Sequence, residues 1–201
     1  MLAPGPVDAR LIAACDVAYE VGGNRAFAAT VVVERDSWRE VDRATSTMTA
    51  PAKYDPGRFA LREAACLIPT LEALATRPDV ILIDGHGIAH PRRFGLACHI
   101  GLAFDVPTIG CAKNILHGTP TSALGEEQGS VATIADASGV IGALVRTRTG
   151  VKPVCVSPGH LFDVASSVAL VATVAPQFRI PEPLRQAHQL SNRLRANPHG
   201  S

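Results

Sequence analysis

Asp16 stands inside the run LIAACDVAY, apolar on both sides of it, although aspartate is disfavoured in strands and costly to bury without a partner. Asp84 closes a second apolar run, DVILI, just ahead of Gly85. Glu63 falls about two turns into an expected helix, beside Arg62. If that helix crosses a sheet in the ordinary way, the three carboxylates meet at one end of it. A set of hard oxygen donors selects magnesium or manganese over zinc, and the cation offsets the repulsion between the acids. Each acid also has an ordinary explanation: Glu63 as a solvated helix residue, Asp84 as a turn former, Asp16 as the partner of an arginine or lysine.

The elements that would position these acids are legible from pattern. Arg10 to Glu20 and Ala26 to Glu34 read as strands separated by a Gly22-Gly23-Asn24 turn, and Arg39 to Met48 alternates like a more exposed third strand. Asp55 and Pro56 mark a helix start ahead of Phe59, Leu67, Leu71 and Leu74. Asp79 to Ile83 and Val106 to Cys111 have the look of buried parallel strands, with a helix over Phe94 to Phe104 between them. Lys113 to Ser130 reads as loop. Val140 to Arg148 and Val154 to Val156 are further strand candidates, followed by an apolar helix through Val174 and a basic helix over RIPEPLRQAHQLSNRLR. Three antiparallel strands followed by parallel strands alternating with helices predict an α/β, ribonuclease-H-like mixed sheet flanked by helices, in a single domain over residues 1–201.

Composition narrows the function classes. The chain is 47% hydrophobic but only 4% aromatic, so its core is aliphatic. Its apolar stretches break well before the roughly 20 residues of a membrane span, and the N-terminus lacks a signal-peptide pattern, which together predict a cytoplasmic protein without membrane attachment. Cys15, Cys66, Cys98, Cys111 and Cys155 show no C-x-x-C spacing and are expected as buried free thiols. A net charge of +1 does not announce a nucleic-acid binder, so any phosphate contact must come from local clusters. Arg92 and Arg93, and Arg179, Arg185, Arg193 and Arg195 on the last segment, are the candidates for such a track.

Five ordered segments carry a resemblance to a known family. The block PDVILIDGHGIAHPRRFGLACHIGLAFDVPTIGCAKN, Pro78 to Asn114, closely resembles the central signature of the endonuclease V (deoxyinosine 3′ endonuclease) family. KYDPGRFALRE, Lys53 to Glu63, resembles its wedge-plus-glutamate segment, and ACDVAY, ending at Tyr19, its first catalytic strand. VKPVCVSPGH and RIPEPLRQAH, ending at His160 and His188, are similar to two late motifs in the expected order.

The resemblance implies a ribonuclease-H-like fold with Asp16, Glu63 and Asp84 as ligands of Mg2+, or of Mn2+ in its place. It puts His188, where relatives carry Asp or His, as a fourth active-site group, and His90 and Lys113 on the rim, Lys113 near the scissile phosphate. It also implies a strand-separating wedge of Tyr54, Pro56 and Gly57, and a base pocket at Gly85, His86, Gly87 and Gly110. Asp55 stands where an apolar residue is frequent in relatives. The implied reaction hydrolyses the second phosphodiester bond 3′ of deoxyinosine in DNA, leaving 3′-hydroxyl and 5′-phosphate ends. Two alternatives stay open at this level: an inosine-specific endoribonuclease acting on RNA, and a non-cleaving binder of inosine-containing strands. A compact, monomeric member without added modules is expected.

Overall fold

The computed structural model describes residues 4–49 and 59–197. Its strands are β1 (Leu11–Tyr19), β2 (Arg25–Glu34), β3 (Glu40–Thr49), β4 (Val80–Ile83), β5 (Thr108–Ala112), β6 (Thr119–Pro120), β7 (Val131–Asp136), β8 (Gly139–Val145) and β9 (Val154–Pro158). The helices are α1 (Phe59–Glu72), α2 (Leu96–Phe104), α3 (Val164–Thr173) and α4 (Glu182–Ala196). The nine described strands form one sheet in the order β3-β2-β1-β4-β5-β9-β8-β7-β6.

Side-chain alternation explains how the sheet is covered. In β1, Ile12 and Ala14 face a core shared with Leu170 and Val171 of α3 and Leu184, Ala187 and Leu190 of α4. Ala13 and Cys15 face the opposite core, shared with Leu67 and Leu71 of α1 and Leu96 and Ile100 of α2. The continuous VILI run of β4 follows from this, because both faces of a central strand are under helices. β3 alternates between half-buried and exposed positions, as an edge strand does. All five cysteines are buried free thiols. Among the described residues, no helix is long and apolar enough to cross a membrane.

The mixed α/β sheet agrees with the sequence expectation, but its second half corrects the expected run of parallel strands. Only β1 with β4 and β4 with β5 pair in parallel; β9 runs antiparallel to β5, and β8, β7 and β6 continue antiparallel outward. β7, β8 and β9 are joined by short connections without helices, and short connections permit only antiparallel neighbours. β7 was not read as a strand although ordinary turn residues follow it, with Asp136 at the start, Ser138 within and Gly139, at φ 114°, closing the turn. Asp136 builds that turn itself, its Oδ1 accepting from the Ser138 backbone N–H at 2.8 Å and the Ser138 hydroxyl at 2.6 Å. β6 is a two-residue pairing inside the stretch read as loop. The expected helix cap at Asp55 and Pro56 lies outside the described residues.

The connection from β4 to α2 presses on the ends of β5 and β9. The Ser157 hydroxyl accepts from the Gly87 N–H at 2.8 Å, and the Pro158 carbonyl accepts from the Ile88 N–H at 2.8 Å. A Cβ on Gly87 would collide with the Pro158 carbonyl, and one on Gly110 would stand 2.6 Å from the Gly85 oxygen and the Gly87 nitrogen. A Cβ on Gly85 would meet only ordinary contacts, the nearest at 3.6 Å. Gly87→Ala and Gly110→Ala are therefore expected to lose about 1–3 kcal/mol each in urea unfolding. Gly85→Ala should stay within about 0.5 kcal/mol of the parent. Equal losses at all three positions would contradict this packing.

Candidate active site

β1, β4 and β5 deliver their C-terminal ends to one edge of the sheet, and a cavity of about 570 Å³ opens there. Asp16, Tyr19, Glu63, Asp84, Gly85, His86, Lys113, His188, Asn192 and Arg195 are among its lining residues. The structure thus brings Asp16, Glu63 and Asp84 to one cavity from three separate elements, together with Lys113 and His188.

Asp16 is only 8% exposed and is served from α4. Its Oδ2 accepts a hydrogen bond from the Ser191 hydroxyl, and Nδ1 of His188 stands 3.4 Å from the same oxygen. The spacing of α4 accounts for this: Leu184, Ala187, Leu190 and Ser191 form the buried face, and His188 emerges at its margin toward the cavity. Ser191 was missed by sequence reading, although a serine at an apolar helix position is the signal that would have found it. Asn192 and Arg195 were also not singled out for the cavity.

Asp84 follows β4 and meets Lys113, which follows β5, with Lys113 Nζ donating to Asp84 Oδ2 at 2.6 Å. Burial alone would lower the Lys113 ammonium, but this hydrogen bond and the charges of Asp84 and Asp16 hold it above its ordinary value. Glu63, 8% exposed, is pushed up to about 8, first by burial and then by Asp84 and Asp16, against the opposing pull of Arg62 and Lys113.

The donor chemistry fits a hard divalent cation, since three carboxylates line one cavity and Asp84 and Asp16 add to the burial that raises Glu63. As the side chains stand, no group of three His, Cys, Asp or Glu among the described residues converges tightly enough to hold a metal ion. Asp84 accepts from Lys113 and Asp16 from Ser191.

The other sequence candidates divide. Gly85 and His86 line the cavity; His86 Nε2 lies 3.0 Å from the Asn114 carbonyl oxygen, and burial lowers its imidazole. Gly87 and Gly110 are not among the lining residues and serve the backbone packing described above. His90 also stands outside the lining; its Nδ1 accepts from the Arg92 N–H at 3.2 Å, and burial followed by Arg92 lowers it. Arg93 is turned to the β7–β8 hairpin, 3.2 Å from Asp136. Arg179 donates to the Lys113 and Pro153 carbonyls at 2.7 and 2.9 Å, and Arg185 is paired with Glu182 while stacking over Phe178. These three arginines brace the fold, whereas Arg195 reaches the cavity and Arg92 and Arg193 are exposed. Tyr54, Pro56 and Gly57 lie outside the described residues.

Comparison with known proteins places this geometry in context. The family model of Endonuclease V matches residues 3–189. The chain is similar to endonuclease V of Myxococcus xanthus, 45% identical over 184 residues that span 92% of this chain and 78% of the relative. It is similar in structure to endonuclease V of Streptomyces avermitilis, with a TM-score of 0.92 at 37% identity, covering 100% of this chain and 88% of that one. The Ciona intestinalis endonuclease V in complex with a 24mer DNA containing an inosine followed by a ribo-adenosine shares the fold, with a TM-score of 0.79 at 24% identity over 94% and 87% of the two chains.

The Glu63 carboxyl sits above its ordinary value in the folded protein, so the folded state keeps a proton that the unfolded chain releases. Its stabilising contribution is full below about pH 4.5 and is lost as pH rises through about 8. In chelator-treated protein, thermal melts should show Glu63→Gln gaining on the parent between pH 5 and pH 9 by roughly 2–4 kcal/mol. Parallel pH profiles for the two proteins would contradict a Glu63 carboxyl raised by burial and its acidic neighbours.

Proposed function

The chain belongs to the endonuclease V family, and on that premise we propose that it hydrolyses the second phosphodiester bond 3′ of deoxyinosine in DNA, dependent on a divalent cation and acting as a monomer in the cytoplasm. The observation that carries this reading is the meeting of Asp16, Glu63 and Asp84 in one cavity beside Lys113. A protein that only bound inosine-containing strands would have no use for buried carboxylates that repel one another.

Asp16, Glu63 and Asp84 would hold magnesium, or manganese in its place, and the bound cation would supply Lewis acidity toward the phosphoryl oxygens. Lys113 keeps its proton and presents a fixed positive charge at the cavity wall, where an entering phosphate is held. His188, its side chain 56% exposed and next to Asp16, orients water or substrate at the opposite wall. His90, outside the lining, acts on the strand beyond the cavity mouth.

Gly85 and His86 form the side of the cavity proposed to take the base. Hypoxanthine offers an O6 acceptor and an N1–H donor without guanine's 2-amino group, so a close backbone wall accepts it and excludes guanine. Gly87 and Gly110 fix that wall from behind by keeping the turn pressed on β5 and β9. Tyr54, Pro56 and Gly57 are proposed as the wedge on the strength of the sequence resemblance, a rigid aromatic beside proline being suited to stacking on bases parted at the lesion. Arg92, Arg193 and Arg195 are the arginines proposed to follow the phosphate backbone.

The test uses matched DNA and RNA oligonucleotides, single- and double-stranded, each with one inosine or adenosine. The expected outcome is a magnesium-dependent nick in DNA at the second bond 3′ of inosine, with 3′-hydroxyl and 5′-phosphate ends. Asp16→Asn should lower the rate by about two orders of magnitude or more. An Asp16→Asn protein as active as the parent would overturn the proposed site. Preference for RNA would move the assignment to the ribonuclease, and inosine-specific binding without cleavage would favour the non-cleaving reading.

A further inference from the structure

Two hydrogen-bond donors next to Glu63 are buried without a partner among the described residues: the Tyr19 hydroxyl and Arg62 Nε. They belong to one unit, because the Arg62 guanidinium stacks over the Tyr19 ring with its carbon 4.4 Å from the ring centroid. A cation on an aromatic face is attracted to it, and the stack fixes the guanidinium while leaving its edge N–H groups to bond elsewhere. A buried donor left unsatisfied is destabilising. Two of them in one stack, with Tyr19 lining the cavity and Arg62 packed on its ring, call for an acceptor in the working state.

Both atoms are shut off from solvent as the side chains stand, so an oxygen of an incoming strand does not reach them directly. The acceptor at hand is the Glu63 carboxylate. It follows Arg62 in α1, it interacts electrostatically with both Tyr19 and Arg62, and no hydrogen bond to it occurs among the described residues. Tyr19 reaches the same wall from β1, three residues beyond Asp16.

We infer that Tyr19 and Arg62 are positioning residues, whose O–H and Nε–H close onto one side of the Glu63 carboxylate when its other side is drawn to a cation. This inference rests on the metal site proposed above. Hydrogen bonds to a ligating carboxylate orient it, and losing such a partner typically lowers metal affinity by roughly 10–100-fold. Arg62 holds the phenol by stacking, and Tyr19 holds the guanidinium in return.

The experiment is calorimetric titration of Mn2+ into the full-length parent, Tyr19→Phe and Arg62→Lys, with thermal melts in chelator and binding of an inosine oligonucleotide without metal measured alongside. Tyr19→Phe is expected to bind Mn2+ roughly tenfold more weakly. In chelator it should melt no lower than the parent, because it sheds an unsatisfied hydroxyl, and its metal-free oligonucleotide affinity should be unchanged. Arg62→Lys keeps the charge but lacks the planar stack and the Nε donor, and it should weaken Mn2+ binding too.

Equal Mn2+ affinity in the parent and Tyr19→Phe overturns the inference and leaves the metal site standing. A melt several degrees lower in chelator would mean that the phenol is already partnered, and weaker oligonucleotide binding at unchanged Mn2+ affinity would make Tyr19 a substrate contact; either result overturns the inference. A parent protein that binds no Mn2+ overturns the proposed metal site and this inference with it.

Discussion

Asp16, Glu63 and Asp84 repel one another in a cavity where two of the three are almost wholly withdrawn from water, and the surrounding structure is arranged to tolerate that repulsion. Each acid is relieved differently. Ser191 and His188 attend Asp16, Lys113 neutralises Asp84, and Glu63, held high by burial and by its two neighbours, keeps its proton well above the usual carboxylate range. Such an arrangement is costly for a resting protein, a cost that the cation and phosphate proposed above would offset.

The fold follows from the need to bring these groups together. Parallel pairing of β1, β4 and β5 is what sets Asp16, Asp84 and Lys113 at one edge, because parallel strands end on the same side. α1 and α4 then supply Glu63 and His188 from opposite faces of the sheet. The antiparallel strands β6 to β9 carry none of the three carboxylates, but β9 provides the surface against which the Gly85–Gly87 turn is pressed. Arg179 ties the Lys113 end of β5 to Pro153 just before β9, so the lysine's position is braced from that side as well.

Much of this was legible in the sequence. The meander, the two buried parallel strands and all four helices follow from apolar periodicity, and Asp16 announced itself as a charge in the middle of an apolar strand. Other features were not legible because they depend on which segments become neighbours. The antiparallel second half was misjudged because a short apolar run looks the same in either direction. β7 was passed over although Asp136, Ser138 and Gly139 are ordinary turn residues. Local clustering of arginines drew attention to Arg93, Arg179 and Arg185, yet Asp136, backbone carbonyls and Glu182 hold them in place. Tyr19 and Arg62 acquire meaning only when α1 is packed on β1, whereas Ser191 is marked by its apolar helix position and gains its partner when α4 is packed on β1.

The Glu63 carboxyl is raised by burial and then by Asp84 and Asp16, and carbon-13 NMR of selectively labelled glutamate, assigned through Glu63→Gln, measures directly whether a divalent cation reverses this. Without metal the Glu63 carboxyl is expected to titrate near 8, and with saturating magnesium it should be ionised throughout the neutral range. A carboxyl that titrates near its ordinary 4.5 in metal-free protein, and does not respond to magnesium, would contradict both the raised Glu63 and the cation site.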